Sequence, residues 1–326
     1  MTSTPHPSVT IIVPCFRQAH MLPTALDSAL NQTYSEVEVI LINDGSDDHT
    51  PEVASAYEGR IKYISKANGG LGSARNAGIA TASGDYLLFL DADDALDVQA
   101  IAWLVAAIGG RTDCIALMGT SLFHSQPGDL HQYFLPDSNT HLLPQLIHQN
   151  FGPPHCFLVP RHQVLAVHGF DESIRACEDW DLWCRLAIRG LGLASVREAG
   201  AHYRRYPGSM SSNAMRMLST RAEVLLRLHE QIVSRVEFFE RYGTDLLEAE
   251  HRVLRRVRVQ LKETALAMRL TEGIEQLLRF GVCRPTSLPR RSLEAILGYR
   301  LVERYALQLL KLFQPGSVEN YRHGYD

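Results

Sequence analysis

The 326 residues are 45% hydrophobic and 21% charged, enough apolar surface for a packed core with more than one compact unit, which excludes a disordered or fibrous chain. No apolar run reaches the roughly 18 to 20 residues that span a bilayer, and the N-terminus lacks a basic region followed by an apolar core; a cytoplasmic protein is the expectation. The net charge of −4 is uneven, because residues 251–326 hold 14 Lys and Arg against 7 Asp and Glu, a cationic tail that suits either an anionic membrane surface or solvated helix faces, with no nucleic-acid partner expected.

In chain order, four short apolar runs are predicted as strands: Val9 to Val13, Val37 to Ile42, Ile61 to Ser65 and Asp85 to Leu90. Helix-like stretches separate them, and the first places Leu22, Ala25, Leu26, Ala29 and Leu30 on one stripe. This alternation predicts an α/β doubly wound sheet covered on both faces. Short strands and a "QPGD" turn follow between Asp113 and Pro136, then a short helix at "LLPQLIHQN". Strands at "CFLVPR" and "GLASVREAGAHYRRY" are expected to complete a mixed sheet. From Met215 the pattern is helical, with Gly243 as a stop between two amphipathic helices, a break at "CRPTSLPRR" and a last helix near Ser292 to Leu312. The six cysteines (Cys15, Cys114, Cys156, Cys177, Cys184, Cys283) lack the close pairs of a zinc or redox motif and are expected to be reduced.

In an open α/β sheet, ligands bind beyond the carboxyl ends of the strands. The fourth strand runs into "DADDALD", where an extended backbone points Asp91 and Asp93 to one side and Asp94 away. Two carboxylates held so close take a proton or share a cation, and Mg²⁺ or Mn²⁺ completed by substrate phosphate suits them; a plain turn with a helix cap is the other reading. "NGGLGSARNAG" sets glycines before a helix, with Arg75 one turn in. Exposed amides there suit a diphosphate, while glycine equally serves close helix packing. Asp44 in "NDGS" lies at a strand end, where it can accept a hydrogen bond from a ligand base, and Ser46 or Asp47 is expected to cap the following helix.

In "ACEDWDLWCRL" a helix beginning near Glu178 turns Asp179 and Asp181 about 200° apart, so one site cannot use both. Asp181 has Arg185 four residues on. Asp179 has no partner within the helix and reads either as a first-turn acid favoured by the helix dipole or as a general base kept ionised by it.

These stretches together, with "VTIIVPCFRQAHMLPTALDSALNQTY" before them and "YPGSMS" after, resemble glycosyltransferase family 2 over roughly residues 8 to 212. The resemblance implies a GT-A-like fold with a C-terminal helical appendage. The catalytic domain would occupy 1–212, with a nucleotide-sugar half at about 8–118 and an acceptor half at 119–212, and the helical region 213–326. It implies an inverting, divalent-metal-dependent hexosyltransferase using a nucleotide sugar, UDP-linked for preference, and a hydroxyl acceptor on a glycan or lipid. Pro14, Phe16, Asp44, Gly70, Arg75, Asp91 and Asp93 would line the donor, with Asp93 and Asp91 on the metal and Asp179 as base. Glu178, Trp180, His202, Arg205 and Tyr206 would lie near the acceptor or diphosphate. Arg17 stands where relatives usually carry Asn, and Tyr206 where many carry a metal-side His. A non-catalytic nucleotide-sugar binder is the competing reading; a sugar-phosphate nucleotidyltransferase lacks support because "PCFRQAHMLP" has no glycine.

Overall fold

The computed structural model describes residues 6–123, 131–132, 142–206, 208–257, 269–272, 274 and 276. The chain divides into two compact units, Met1–Val224 and Leu225–Asp326. The "QPGD" turn, the "CRPTSLPRR" break and the last helix expected near 292–312 lie outside the described residues.

In the first unit the elements are β1 (Val9–Cys15), α1 (Leu22–Leu30), β2 (Val37–Asn43), α2 (Thr50–Ser55), β3 (Lys62–Ser65), α3 (Leu71–Thr81), β4 (Tyr86–Phe89), β5 (Ala95–Leu96), α4 (Ala100–Ile108), β6 (Cys114–Leu117), β7 (Thr120–Phe123), β8 (His131–Gln132), α5 (Leu142–His148), β9 (Phe157–Pro160), α6 (Arg161–Ala166), α7 (Glu178–Ile188), β10 (Gly192–Ser195) and β11 (Ala201–Arg204), after which α8 (Ala214–Val233) begins. A seven-stranded sheet has the order β10-β6-β9-β4-β1-β2-β3. β4, β1, β2 and β3 pair in parallel, whereas β9 runs antiparallel to both β4 and β6, so the sheet is mixed as expected. A four-stranded sheet, β5-β11-β7-β8, joins strands of two to four residues that are too short to carry a hydrophobic period.

The apolar runs become strands because both faces are covered: Val9, Ile11, Ile12, Val13, Leu87, Leu88 and Phe89 are fully buried. Each such side chain contributes about 1.5 to 3 kcal/mol relative to exposure. Helix α3 approaches β1 closely through Gly78, where a Cβ would lie 2.4 Å from Ile12 Cγ2. Leu22, Ala25, Leu26 and Ala29 form the buried stripe of α1. Helix α2 is served by neither Ser46 nor Asp47: Asp48 accepts from the Thr50 N–H at 3.1 Å and from its hydroxyl at 2.5 Å, while Asp47 pairs with Arg17.

In the second unit, α9 spans Val236–Arg256. The helical break falls at residues 234–235, with Arg235 in extended conformation, and Gly243 is buried inside α9 instead of ending a helix. An interior glycine costs about 1 kcal/mol against alanine, which does not stop a helix whose apolar face is covered. His229 Nδ1 lies 2.7 Å from the buried Glu250, and His229 Nε2 lies 3.0 Å from Gln276. Among the described residues no helix is long and apolar enough to cross a membrane.

Candidate functional site

Parallel pairing brings the carboxyl ends of β1 to β4 to one edge of the sheet. Pro14 is buried in β1 opposite Ile42, and Phe16, just beyond, is 39% exposed. Arg17 has a positive φ of 55°; its guanidinium lies over Phe16 and pairs with Asp47 through two hydrogen bonds of 2.6 and 2.8 Å.

Asp44, 2% exposed, organises the glycine turn. Its carboxylate accepts from Lys66 Nζ (2.7 Å) and from the N–H groups of Gly69 (3.0 Å) and Gly70 (2.8 Å). The amides that a sequence reading offers to phosphate are therefore held by Asp44. Gly70 has a φ of 91°, which favours glycine, and a Cβ there would meet Arg175 Nη1 at 3.0 Å.

Arg75 departs most from expectation. It is turned inward, 1% exposed, with Nη2 donating to Asp91 at 2.6 Å and Nη1 to Glu178 at 2.5 Å. Burial pulls the guanidinium toward losing its proton, but Asp91 and Glu178 outweigh it and Arg75 is held more firmly protonated than usual. One buried cation thus joins the end of β4 to the start of α7, across 16 and 103 residues of sequence.

The acids after β4 lie on a turn closed by the Asp94 N–H on the Asp91 carbonyl (3.0 Å), where a fully extended segment was expected. Strand β11 and the residues after it brace that turn. The Arg204 N–H donates to Asp94 Oδ1 (2.8 Å), its Nε to the Asp93 carbonyl (2.8 Å), and the Tyr206 hydroxyl to Asp93 Oδ2 (2.9 Å). Burial and then the Asp93 carboxylate push the Tyr206 phenol up to about 12, so it donates a proton and is no anionic ligand. Burial, followed by the Asp91 charge, raises Asp93. Asp94 is fully buried and raised well above the usual range by the same two causes, burial first and then its acidic neighbours. His155 Nδ1 stands 3.4 Å from Asp94 Oδ2, and burial lowers this imidazole to about 4, so it is neutral.

Among the described residues no three His, Cys, Asp or Glu side chains converge to hold an ion by themselves. Mg²⁺ and Mn²⁺ sites completed by substrate phosphates need only one or two carboxylates. Asp91 and Asp93 fit that donor set, and the raised Asp93 carboxyl carries a repulsion that a cation relieves.

Helix α7 buries ten of its eleven residues, acids included. Asp181 pairs with Arg185 at 2.7 Å, as the spacing predicts, and Arg185 also donates to the Val167 and Gly169 carbonyls. Trp180 and His202, expected near the acceptor or diphosphate, each have a partner within the unit. The Trp180 indole N–H donates to the Leu146 carbonyl (2.8 Å), and the buried His202 ring lies 2.6 Å from the Ser121 hydroxyl. Arg205 is exposed, and its N–H closes on the Phe123 carbonyl. Asp179 is 8% exposed, and its carboxylate accepts from Asn150 Nδ2 (2.9 Å) and the Trp180 N–H (2.8 Å). Burial, then the charge of Glu178, raise it to about 7, outweighing the Arg75 charge and the hydrogen bonds from Asn150 and the Trp180 N–H. Cys177, just before the helix, has a φ of 55°, a left-handed conformation that costs a non-glycine residue about 1 to 2 kcal/mol.

Residues 10–161 match the family model described as Glycosyl transferase family 2. Over these residues the chain is similar to the family 2 glycosyltransferases. The match ends before Glu178 and Asp179. An uncharacterized glycosyltransferase of Rickettsia felis is 35% identical over 191 residues, 55% of this chain and 31% of that one, so the chain spans about a third of the length of that relative. Staphylococcus aureus TarS residues 1–349, solved with UDP-GlcNAc, superposes with a TM-score of 0.67 at 18% identity, covering 83% of this chain and 81% of that one. The mannosyltransferase PcManGT of Pyrobaculum calidifontis, solved with GDP-Man and Mn²⁺, gives 0.54 at 17% identity over 93% and 84%. At such identities the structural likeness shows the fold, and that fold is GT-A-like.

Lys66 and Asn150 join the site's network without a sequence signal, and the bracing of the acidic turn by the Arg204 backbone and guanidinium has none either. Each contact pairs a common polar residue with a group that the fold brings near from 22 or more residues away.

Proposed function

We propose that the protein is an inverting glycosyltransferase that moves a hexose from a nucleotide diphosphate donor, UDP-linked for preference, to a hydroxyl of a glycan or lipid-linked acceptor in a cell-surface pathway. The observation that carries this reading is the Arg75 bridge, which ties a donor-side acid, Asp91, to Glu178, the neighbour of the one carboxyl raised to about 7. Asp44 sits at the nucleoside end, where a ligand base can compete for the carboxylate that now closes the glycine turn. Asp91 and Asp93 would hold Mg²⁺ or Mn²⁺, which supplies charge neutralisation for the departing diphosphate when bound. Asp179 takes the proton from the acceptor hydroxyl. The freed oxygen bonds to the anomeric carbon as the bond to the diphosphate breaks and its electron pair leaves with that group.

A carboxyl near 7 suits a base working at neutral pH, and its burial excludes water that would divert the sugar to hydrolysis. The test is a donor panel scored by thermal shift with Mn²⁺, followed by turnover of whichever donor stabilises the fold. A UDP-hexose that stabilises the protein and is consumed only with metal supports the reading; no donor stabilising it contradicts the reading.

Tyr206 favours a second reading, a non-catalytic nucleotide-sugar binder, because a phenol on Asp93 replaces the expected metal-side His. Metal-dependent turnover, even slow hydrolysis, excludes it. We further propose a peripheral contact with the cytoplasmic face of a membrane, in keeping with Arg241, Arg252, Arg255 and Arg256 exposed along α9. Failure of anionic vesicles to sediment the protein at low salt contradicts that contact.

A further inference from the structure

We infer that Asn150 is a positioning residue for Asp179: its amide N–H fixes the carboxylate in the orientation from which it receives the acceptor proton. The inference rests on Asp179 being the base. Asn150 follows α5, 29 residues before Asp179, and its Nδ2 donates to Asp179 Oδ2 at 2.9 Å. The Trp180 N–H holds the other oxygen at 2.8 Å. Two donors from different directions leave the carboxylate little freedom to rotate, and each oxygen keeps a lone pair for a proton.

The other end of the Asn150 side chain separates this role from ordinary packing. Its Oδ1 is buried and accepts no hydrogen bond among the described residues. An asparagine retained only to stabilise the fold normally has both ends of its amide satisfied, and leaving a buried carbonyl unpaired is unfavourable. Here the N–H end is directed at the one acid that the mechanism needs, while the oxygen goes without a partner. Among the described residues, the ionisable groups that act on Asp179 or feel its charge include Glu178 and Arg75, with the thiols of Cys156, Cys177 and Cys184. Glu178 and Arg75 pair with each other, and burial raises all three thiols. Asn150 is therefore the side chain that donates directly to this carboxylate, and its hydrogen bond favours the ionised form.

The experiment follows the Asp179 carboxyl by NMR in protein labelled with ¹³C-aspartate, the resonance being assigned by its absence in Asp179→Asn. Asn150→Ala is compared with Asn150→Ser, which retains a hydroxyl donor and guards against a variant that fails to fold. The midpoint is expected to rise by about one pH unit in Asn150→Ala and by less in Asn150→Ser, because a hydrogen bond to the charged form has been lost. In turnover, kcat is expected to fall about 10- to 100-fold with its acid limb moved up by the same amount, at unchanged donor affinity. An Asp179 midpoint that stays in place in both folded variants overturns the inference. The NMR arm needs no turnover, so a protein that transfers no sugar contradicts the proposed function and leaves this outcome readable.

Discussion

Two acidic stretches face each other across Arg75, and they are built in opposite ways. The turn after β4 is braced from outside: Arg204 and Tyr206 hold its acids, and the Asp91 side chain keeps 23% of its exposure. The start of α7 is instead buried almost entirely, and its three acids are separated by partners: Glu178 on Arg75, Asp181 on Arg185 and Asp179 on an asparagine and a backbone amide. A carboxylate assigned to a cation is best left open with its charge, whereas one assigned to a proton is best desolvated until its pKa meets the working pH. On the proposed assignment the same residue type serves two tasks according to which neighbours turn toward it.

The sharpest way to break the comparison is to remove the cation that joins the stretches. Arg75→Met leaves the buried Glu178 carboxylate without its partner, and a loss of about 3 to 5 kcal/mol in denaturant unfolding is expected, with transfer lost alongside. A loss below 1 kcal/mol means that water or another cation takes its place.

The metal side is tested next by Asp93→Asn. A fall in turnover of about 100-fold or more is expected, together with loss of the Mn²⁺-dependent part of donor-induced thermal stabilisation. Retained metal dependence contradicts the assignment.

A smaller effect distinguishes the two kinds of acid by stability. Asp179 ionises near 7 in the folded protein and near the ordinary aspartate value when unfolded. The stability it contributes is complete below the unfolded value and is lost as pH rises through about 7. Asp179→Asn is therefore expected to raise Tm by about a few degrees at pH 8 and to have little effect at pH 4. An equal shift at both pH values contradicts the sign. Tyr206→Phe, the mildest change, is expected to cost about 0.5 to 1.5 kcal/mol and to lower metal affinity by less than tenfold, as the Asp93 carboxylate loses one donor.

What was legible in the sequence follows the distance over which each feature is determined. The parallel strands and the Asp181–Arg185 pair depend on residues within one element or its neighbour, and the structure has them where periodicity and helical spacing place them; the acids after β4 follow their strand as expected but on a turn braced by β11. The inward turn of Arg75 depends on Glu178, 103 residues away, and an arginine at the start of a glycine-rich helix reads locally as an exposed cation. The partners of Trp180 and His202, a leucine carbonyl and a serine hydroxyl, come from 34 and 81 residues away and have no local signal. Asn150 carries no local signal, since one asparagine after a short helix is an ordinary way to end it. The antiparallel course of β9 and the two-residue strands β5 and β8 are set by pairing partners that no periodicity identifies.

The central claim is that Asp179 is the proton acceptor and that the donor site does not depend on it. Asp179→Asn tests it most directly, because it keeps the side chain's shape and removes the base. Transfer is expected to fall by about 100-fold or more while calorimetry shows the donor binding with Mn²⁺ as tightly as in the parent protein. Wild-type turnover, or donor affinity that falls together with turnover, contradicts the account.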